Sequence, residues 1–86
     1  MTKIYKYEID ITDCQTIQLP VGATILCAKM QNSHLCLWAD VDPERGTEER
    51  FIYVYGTGHE MYYKIPQRYI STVQDREFVW HVYEQV

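Results

Sequence analysis

The densest cluster of chemically capable groups in this sequence is Gly56-Thr57-Gly58-His59, directly after the aromatic run Phe51-Ile52-Tyr53-Val54-Tyr55. Two glycines flanking a threonine free successive backbone N–H groups to converge on an anion or on a partner's carbonyl, and the neighbouring Tyr55 offers a ring for stacking. Gly56, Thr57, Gly58, His59 and Tyr55 are therefore the candidate ligand-binding residues. The same four-residue segment also reads as a tight turn whose glycines accept positive φ, and this architectural reading outweighs ligand contact. It is not a phosphate loop of a standard kind, because no Gly-Lys-Ser/Thr and no complete G-x-G-x-x-G is present and no helical pattern follows to supply a dipole.

Other constellations fall short of a site. Asp40, Asp42 and Glu44 match the first three ligand positions of a calcium-binding EF-hand loop, but Arg45 stands where glycine is required and Phe51 where a bidentate glutamate is required. His34 and Cys36 share one side of a strand and could recruit His59 or His81 to a zinc ion, yet nothing in the spacing demands it. A cysteine nucleophile needs a positioned base and an oxyanion hole, and the sequence displays neither. The expectation is a non-enzymatic protein with no catalytic residues, no metal and no cofactor. An enzymatic reading would require His59 or His81 beside a polarised partner in a pocket.

Composition narrows the classes further. A chain of 86 residues with no linker-like stretch is expected to form one domain spanning residues 1–86. Domains of this size bury only about 60 to 65% of their unfolded surface, so aromatic packing or self-association must help. Eight tyrosines, two tryptophans and two phenylalanines supply that help. The net charge of −4 and the scattered basic residues argue against a nucleic-acid binder, which gains affinity by displacing counterions with clustered Lys and Arg. Cys14, Cys27 and Cys36 form an odd set with no C-x-x-C spacing, and no apolar signal-like run follows the N-terminus, so a reducing, cytoplasmic compartment is expected. No apolar run is long enough to span a bilayer as a helix.

The elements that must position these residues are strands. Lys3 to Ile11 alternates, with Tyr5, Tyr7, Ile9 and Ile11 on one face and Lys6, Glu8 and Asp10 on the other, until Thr12-Asp13 breaks it. Thr16 to Leu19 reads as a short strand with Ile17 and Leu19 inward, and Pro20 and Gly22 as a turn. Thr24–Gln31 and His34–Val41 read as a hairpin about Asn32-Ser33. Asp42 to Glu49 is polar with Pro43 and Gly46, the pattern of an exposed hairpin loop into a strand from Arg50 to Tyr55. Gly56 to Tyr63 is expected as loop, with at most a short helical turn starting at Pro66. Ser71 to Gln74 suits a short edge strand, Asp75-Arg76 a turn, and Glu77 to Glu84 a final strand. The fold class is mainly β: a small antiparallel barrel or sandwich of about six to seven short strands with at most one short helix.

The strands at residues 34–41, 50–55 and 77–84 are apolar on both faces, so something must cover the second face. Closure of the sheet into a barrel or sandwich and a homo-oligomer interface are the favoured covers, with a ligand stacked on aromatic rings as the third. Tyr53, Trp38 and Trp80 are the candidate interface residues.

Ile4-Tyr5-Lys6-Tyr7, Leu19-Pro20, Leu37-Trp38-Ala39, Val41-Asp42-Pro43, Gly56-Thr57-Gly58-His59 and Val79-Trp80-His81-Val82-Tyr83-Glu84 stand along the chain as a set. On that set the full chain resembles a family of small proteins encoded by tailed phages and prophages. Glu60 to Arg68 departs from it, being more aromatic here. The resemblance implies a phage-encoded protein of the host cytoplasm and transfers no catalytic residues. It makes the expected function non-enzymatic antagonism of host antiphage defence, by binding a defence protein or by sequestering a nucleotide-like signal. The alternative is a structural or accessory phage protein acting through its sheet surface.

Overall fold

The chain folds into seven strands without a helix, in a computed structural model that describes residues 1–86. In order they are β1 (Lys3–Ile9), β2 (Cys14–Pro20), β3 (Thr24–Gln31), β4 (His34–Val41), β5 (Thr47–Gly56), β6 (Gln67–Asp75) and β7 (Phe78–Gln85). They form two antiparallel sheets, β1-β4-β3 and β2-β5-β7-β6. Alternation along each strand sends one set of side chains inward, and Leu19, Leu35, Leu37, Val41, Ile52 and Val82 end fully buried. These six belong to a single apolar cluster drawn from both sheets. The architecture is a sandwich, with hydrophobic burial between the layers as its main stabilisation.

Closure into a barrel fails at one seam. Strands β3 and β6 lie side by side, but no backbone ladder joins them; the Ala28 N–H instead donates to Ser71 Oγ at 2.9 Å. Each strand carries a bulge there, at Leu26 in β3 and at Ile70 in β6. Bulges bend a strand and interrupt its pairing, which keeps both edges from completing the ladder.

Turn chemistry fixes the connections. Asn32 and Ser33 both adopt positive φ, 51° and 67°, as a two-residue primed turn requires, and Gln31 pairs directly with His34. Between the layers, Glu84 is only 3% exposed and is held by two arginines. Arg50 Nε donates to Glu84 Oε2 at 2.5 Å, and an Arg68 guanidinium nitrogen to Oε1 at 2.8 Å. Arg50 also reaches the Ala23 carbonyl at 2.8 Å, so this charged group links the four-stranded sheet to the segment that enters β3.

Three expectations need correction. Asp42 to Glu49 is not a hairpin loop: β4 already has β1 and β3 on its two edges, so the chain must cross to the other sheet before β5 can pair. The crossing is tied down by Val21 N–H to Gly46 O at 2.8 Å and Gly22 N–H to Glu48 Oε2 at 2.9 Å. Within the expected limit of at most a short helical turn at Pro66, none forms: the Pro66 carbonyl accepts the Val86 N–H at 3.0 Å and β6 begins at the next residue. The edge strand read at Ser71–Gln74 is therefore a nine-residue strand, and its turn falls at Arg76-Glu77, with Arg76 at φ 58°. Ile11 does not face inward with Ile9; it is 40% exposed because Gln15 exchanges two hydrogen bonds with the Asp10 backbone and ends β1 early.

Candidate functional site

Register builds the site on the outer face of the four-stranded sheet. Tyr53 pairs with Tyr83, Tyr55 with His81, and Tyr69 with Tyr83, so these side chains share the face opposite Ile52, Val54 and Val82. The Tyr53 and Tyr55 rings stack at 6.3 Å with 5° between planes, and Tyr83 meets Tyr55 and Tyr69 edge-on at 5.7 and 5.5 Å. The chain itself covers part of this face. Tyr62, from the segment between β5 and β6, packs over Tyr53 at 5.6 Å and Tyr55 at 6.4 Å. That leaves Tyr53 and Tyr55 buried while Tyr62 remains 47% exposed.

Hydrogen bonds fix the rings. Tyr53 Oη donates to Gln85 Oε1 at 2.9 Å and Tyr55 Oη to Gln67 Oε1 at 2.8 Å. Burial, followed by the adjoining Cys14 side chain, pushes the Tyr53 phenol above its ordinary pKa.

The Gly56–His59 segment turns the chain away from β5 at the edge of this face. The His59 N–H closes it on the Gly56 carbonyl at 3.0 Å, and Gly58 has φ +88°, the positive value a type II turn needs at its third residue. His59 then folds back, and its Nδ1 accepts the Gly56 N–H at 3.2 Å. Two of the N–H groups that could have converged on an anion are thus used within the turn. Thr57 points to β7, where its hydroxyl lies 2.8 Å from His81 Nε2. His81 Nδ1 is 3.0 Å from Thr72 Oγ1, which is 2.8 Å from Tyr69 Oη. A continuous polar chain therefore runs from the turn through His81 to Tyr69.

Two shallow depressions flank His59. One, of about 490 Å³, is lined by Asp13, Tyr55, His59, Glu60, Met61 and Tyr62. The other, of about 440 Å³, lies between the turn and the start of β7, with Glu77, Phe78, Val79 and Trp80 opposite Gly56, Thr57 and His59. Neither contains a lysine or arginine. Phe78 is 51% exposed and stacks on Trp80 at 5.8 Å, while the His59 ring meets Trp80 at 6.5 Å.

Of the five candidate ligand-binding residues, Tyr55 and His59 line the first depression and Gly56, Thr57 and His59 the second, while Gly58 lines neither. The candidate interface residues are dispersed, and Trp80 alone among them lines one of these depressions. Tyr53 is covered by Tyr62, and Trp80 lies half-buried beside Gly56 and Val73 with its indole N–H unpartnered. Trp38 stands half-buried on the outer face of the other sheet, opposite Lys6 of β1. His34, His59 and His81 remain apart, and no group of three or more His, Cys, Asp or Glu side chains could hold a metal ion. His34 instead pairs with Glu8 at 2.8 Å, next to buried Cys36.

Sequence reasoning missed Asp13, Glu60, Met61 and Tyr62. The aromatic excess of the stretch after His59 was the available signal: rings in an exposed loop need something to pack on, and Tyr53 and Tyr55 provide it.

One family model, described as a domain of unknown function (DUF7352), matches residues 1–86. No curated protein matches the chain, and no solved structure does. No helix is long and apolar enough to cross a membrane.

Proposed function

Since the chain belongs over its whole length to the DUF7352 family, whose description assigns no activity, we propose from its own geometry that it is a non-enzymatic binding protein. Its partner is another protein, engaged through the tyrosine-rich outer face of the β2-β5-β7-β6 sheet together with the adjoining end of that sheet, where His59 and Phe78 lie beside inward-facing Trp80. The observation that carries this reading is the concentration of Tyr55, Tyr62, His59 and Phe78 around two adjoining depressions. Tyrosine rings held by packing and hydrogen bonds lose little conformational freedom on binding and serve as anchors.

A protein partner is preferred to a nucleotide-like signal on charge. Asp13, Glu60 and Glu77 line the depressions without a compensating cation, and a phosphate would be repelled there. The resemblance to phage-encoded proteins gives the partner a setting: a host antiphage defence protein in the cytoplasm. Self-association is assigned to the other sheet, whose outer face presents Trp38 near exposed Ile4 and Leu26.

The Thr57–His81 contact is read as architecture. A nucleophile's histidine base is normally backed by a group that stabilises its charged form, whereas both His81 nitrogens meet threonine hydroxyls.

The test is capture from lysate of the phage host with tagged full-length chain and with a Tyr62→Ser/Phe78→Ser variant whose fold is verified by circular dichroism. A host protein retained by the wild type and lost from the variant supports the reading. Equal retention by both, or recovery only with virions, overturns it.

A further inference from the structure

The depression lined by Asp13 and Tyr62 has a chemistry that names its occupant more closely, on the premise that this face binds a partner protein. It is lined by Tyr55, Met61 and Tyr62 together with the Asp13 and Glu60 carboxylates, and Tyr62, 47% exposed over buried Tyr55, is the ring open to an occupant. Neither carboxylate takes part in an ion pair or hydrogen bond through its side chain, whereas Asp42, Glu48 and Glu84 are each paired with arginine. An aromatic wall attracts cations through the negative faces of its rings, and unpaired carboxylates beside it strengthen that preference. The chain's net charge of −4 adds long-range attraction for a basic partner. The same loop already holds a cation in this way: Lys64 Nζ lies over the Tyr63 ring, 5.7 Å from its centre.

We propose that this depression receives an arginine side chain of the partner protein. A guanidinium is planar, so it stacks on a tyrosine ring while donating two parallel hydrogen bonds to a carboxylate, and it is less strongly hydrated than an ammonium. The volume of about 490 Å³ suits one long side chain with its hydrating water, not a folded element. His59 also lines the depression, with its Nδ1 turned back to accept the Gly56 N–H.

The test titrates ¹⁵N-labelled full-length protein with N-acetyl-arginine amide and with its uncharged isostere, N-acetyl-citrulline amide. Saturable shifts at the Asp13, Glu60, Met61 and Tyr62 amides are expected with the arginine probe. Binding should be at least about fivefold weaker for the citrulline probe and for an Asp13→Asn/Glu60→Gln variant. Equal shifts from the two probes, no shifts from either, or undiminished binding by the variant would overturn the arginine assignment. Those outcomes leave the broader reading standing as long as the Tyr62→Ser/Phe78→Ser variant loses its captured partner, so the two can fail separately.

Discussion

The imidazole of His59 lies directly over Gly56: its Nδ1 accepts the Gly56 N–H at 3.2 Å, and a Cβ at position 56 would sit 2.7 Å from its Cε1. The glycine is therefore favoured by the neighbouring side chain and not by its own backbone angle. Gly58 is the reverse case, with open space around it but φ at +88°.

Substitution should separate these two causes. Gly56→Ala forces the His59 ring off its acceptor position and should cost about 1 kcal/mol, the worth of one hydrogen bond. In a His59→Ala background the same change should cost almost nothing, a coupling that a double-mutant cycle measured by urea unfolding would reveal. Gly58→Ala should cost about 1–2 kcal/mol in either background, because its penalty is left-handed backbone strain.

The buried ion group yields a graded prediction. Glu84 is 3% exposed between two arginines, and removing one member of such a group leaves uncompensated charge away from water. Glu84→Gln should lower unfolding free energy by about 3 kcal/mol. Arg68 has a side chain that is 49% exposed, so Arg68→Ala should cost no more than about 1 kcal/mol. Equilibrium denaturation of both variants checks the order.

Alkaline pH should weaken the fold through two tyrosines. Burial raises the phenol pKa of Tyr7 and of Tyr53 above the ordinary value of 10.0, so the folded chain holds those protons more tightly than the unfolded chain. Their contribution is complete below pH 10.0 and is lost as pH rises through the higher folded values. Urea unfolding between about pH 9 and pH 11 should show stability falling above pH 10, with a shallower fall in Tyr53→Phe. Ultraviolet titration of the tyrosinate band should show these two phenols ionising after the exposed ones.

The sequence foretold the strands and the hairpin well because their signals are local. Asn32-Ser33 between two strand-like runs predicts its own turn, whereas the choice of the Leu35, Leu37, Ala39 and Val41 face for the core was open in a strand that reads as apolar on both faces. The crossing after β4 was illegible, since a polar loop with Pro43 and Gly46 serves a hairpin or a change of sheet equally well. Only the occupancy of both β4 edges distinguishes them.

For the site, the Gly56–His59 turn was visible as a motif, but its partners were not. Thr57 meets His81 across 24 residues, and Asp13 reaches the same depression as Tyr62 from another part of the chain. Tyr53 and Trp80 were read as interface residues because their strands are apolar on both faces and something must cover the second. The covering ring of Tyr62 and the inner-face position of Trp80 are consequences of tertiary packing that no strand pattern encodes.

Hydrogen exchange on the complex with a captured partner tests the central claim most directly. The account predicts new amide protection at Asp13, along Gly56 to Tyr63 and over Phe78 to His81, with the outer face of β1-β4-β3 unchanged. Protection confined to that other face, around Trp38, with Gly56 to Tyr63 exchanging as in the free protein, would contradict it.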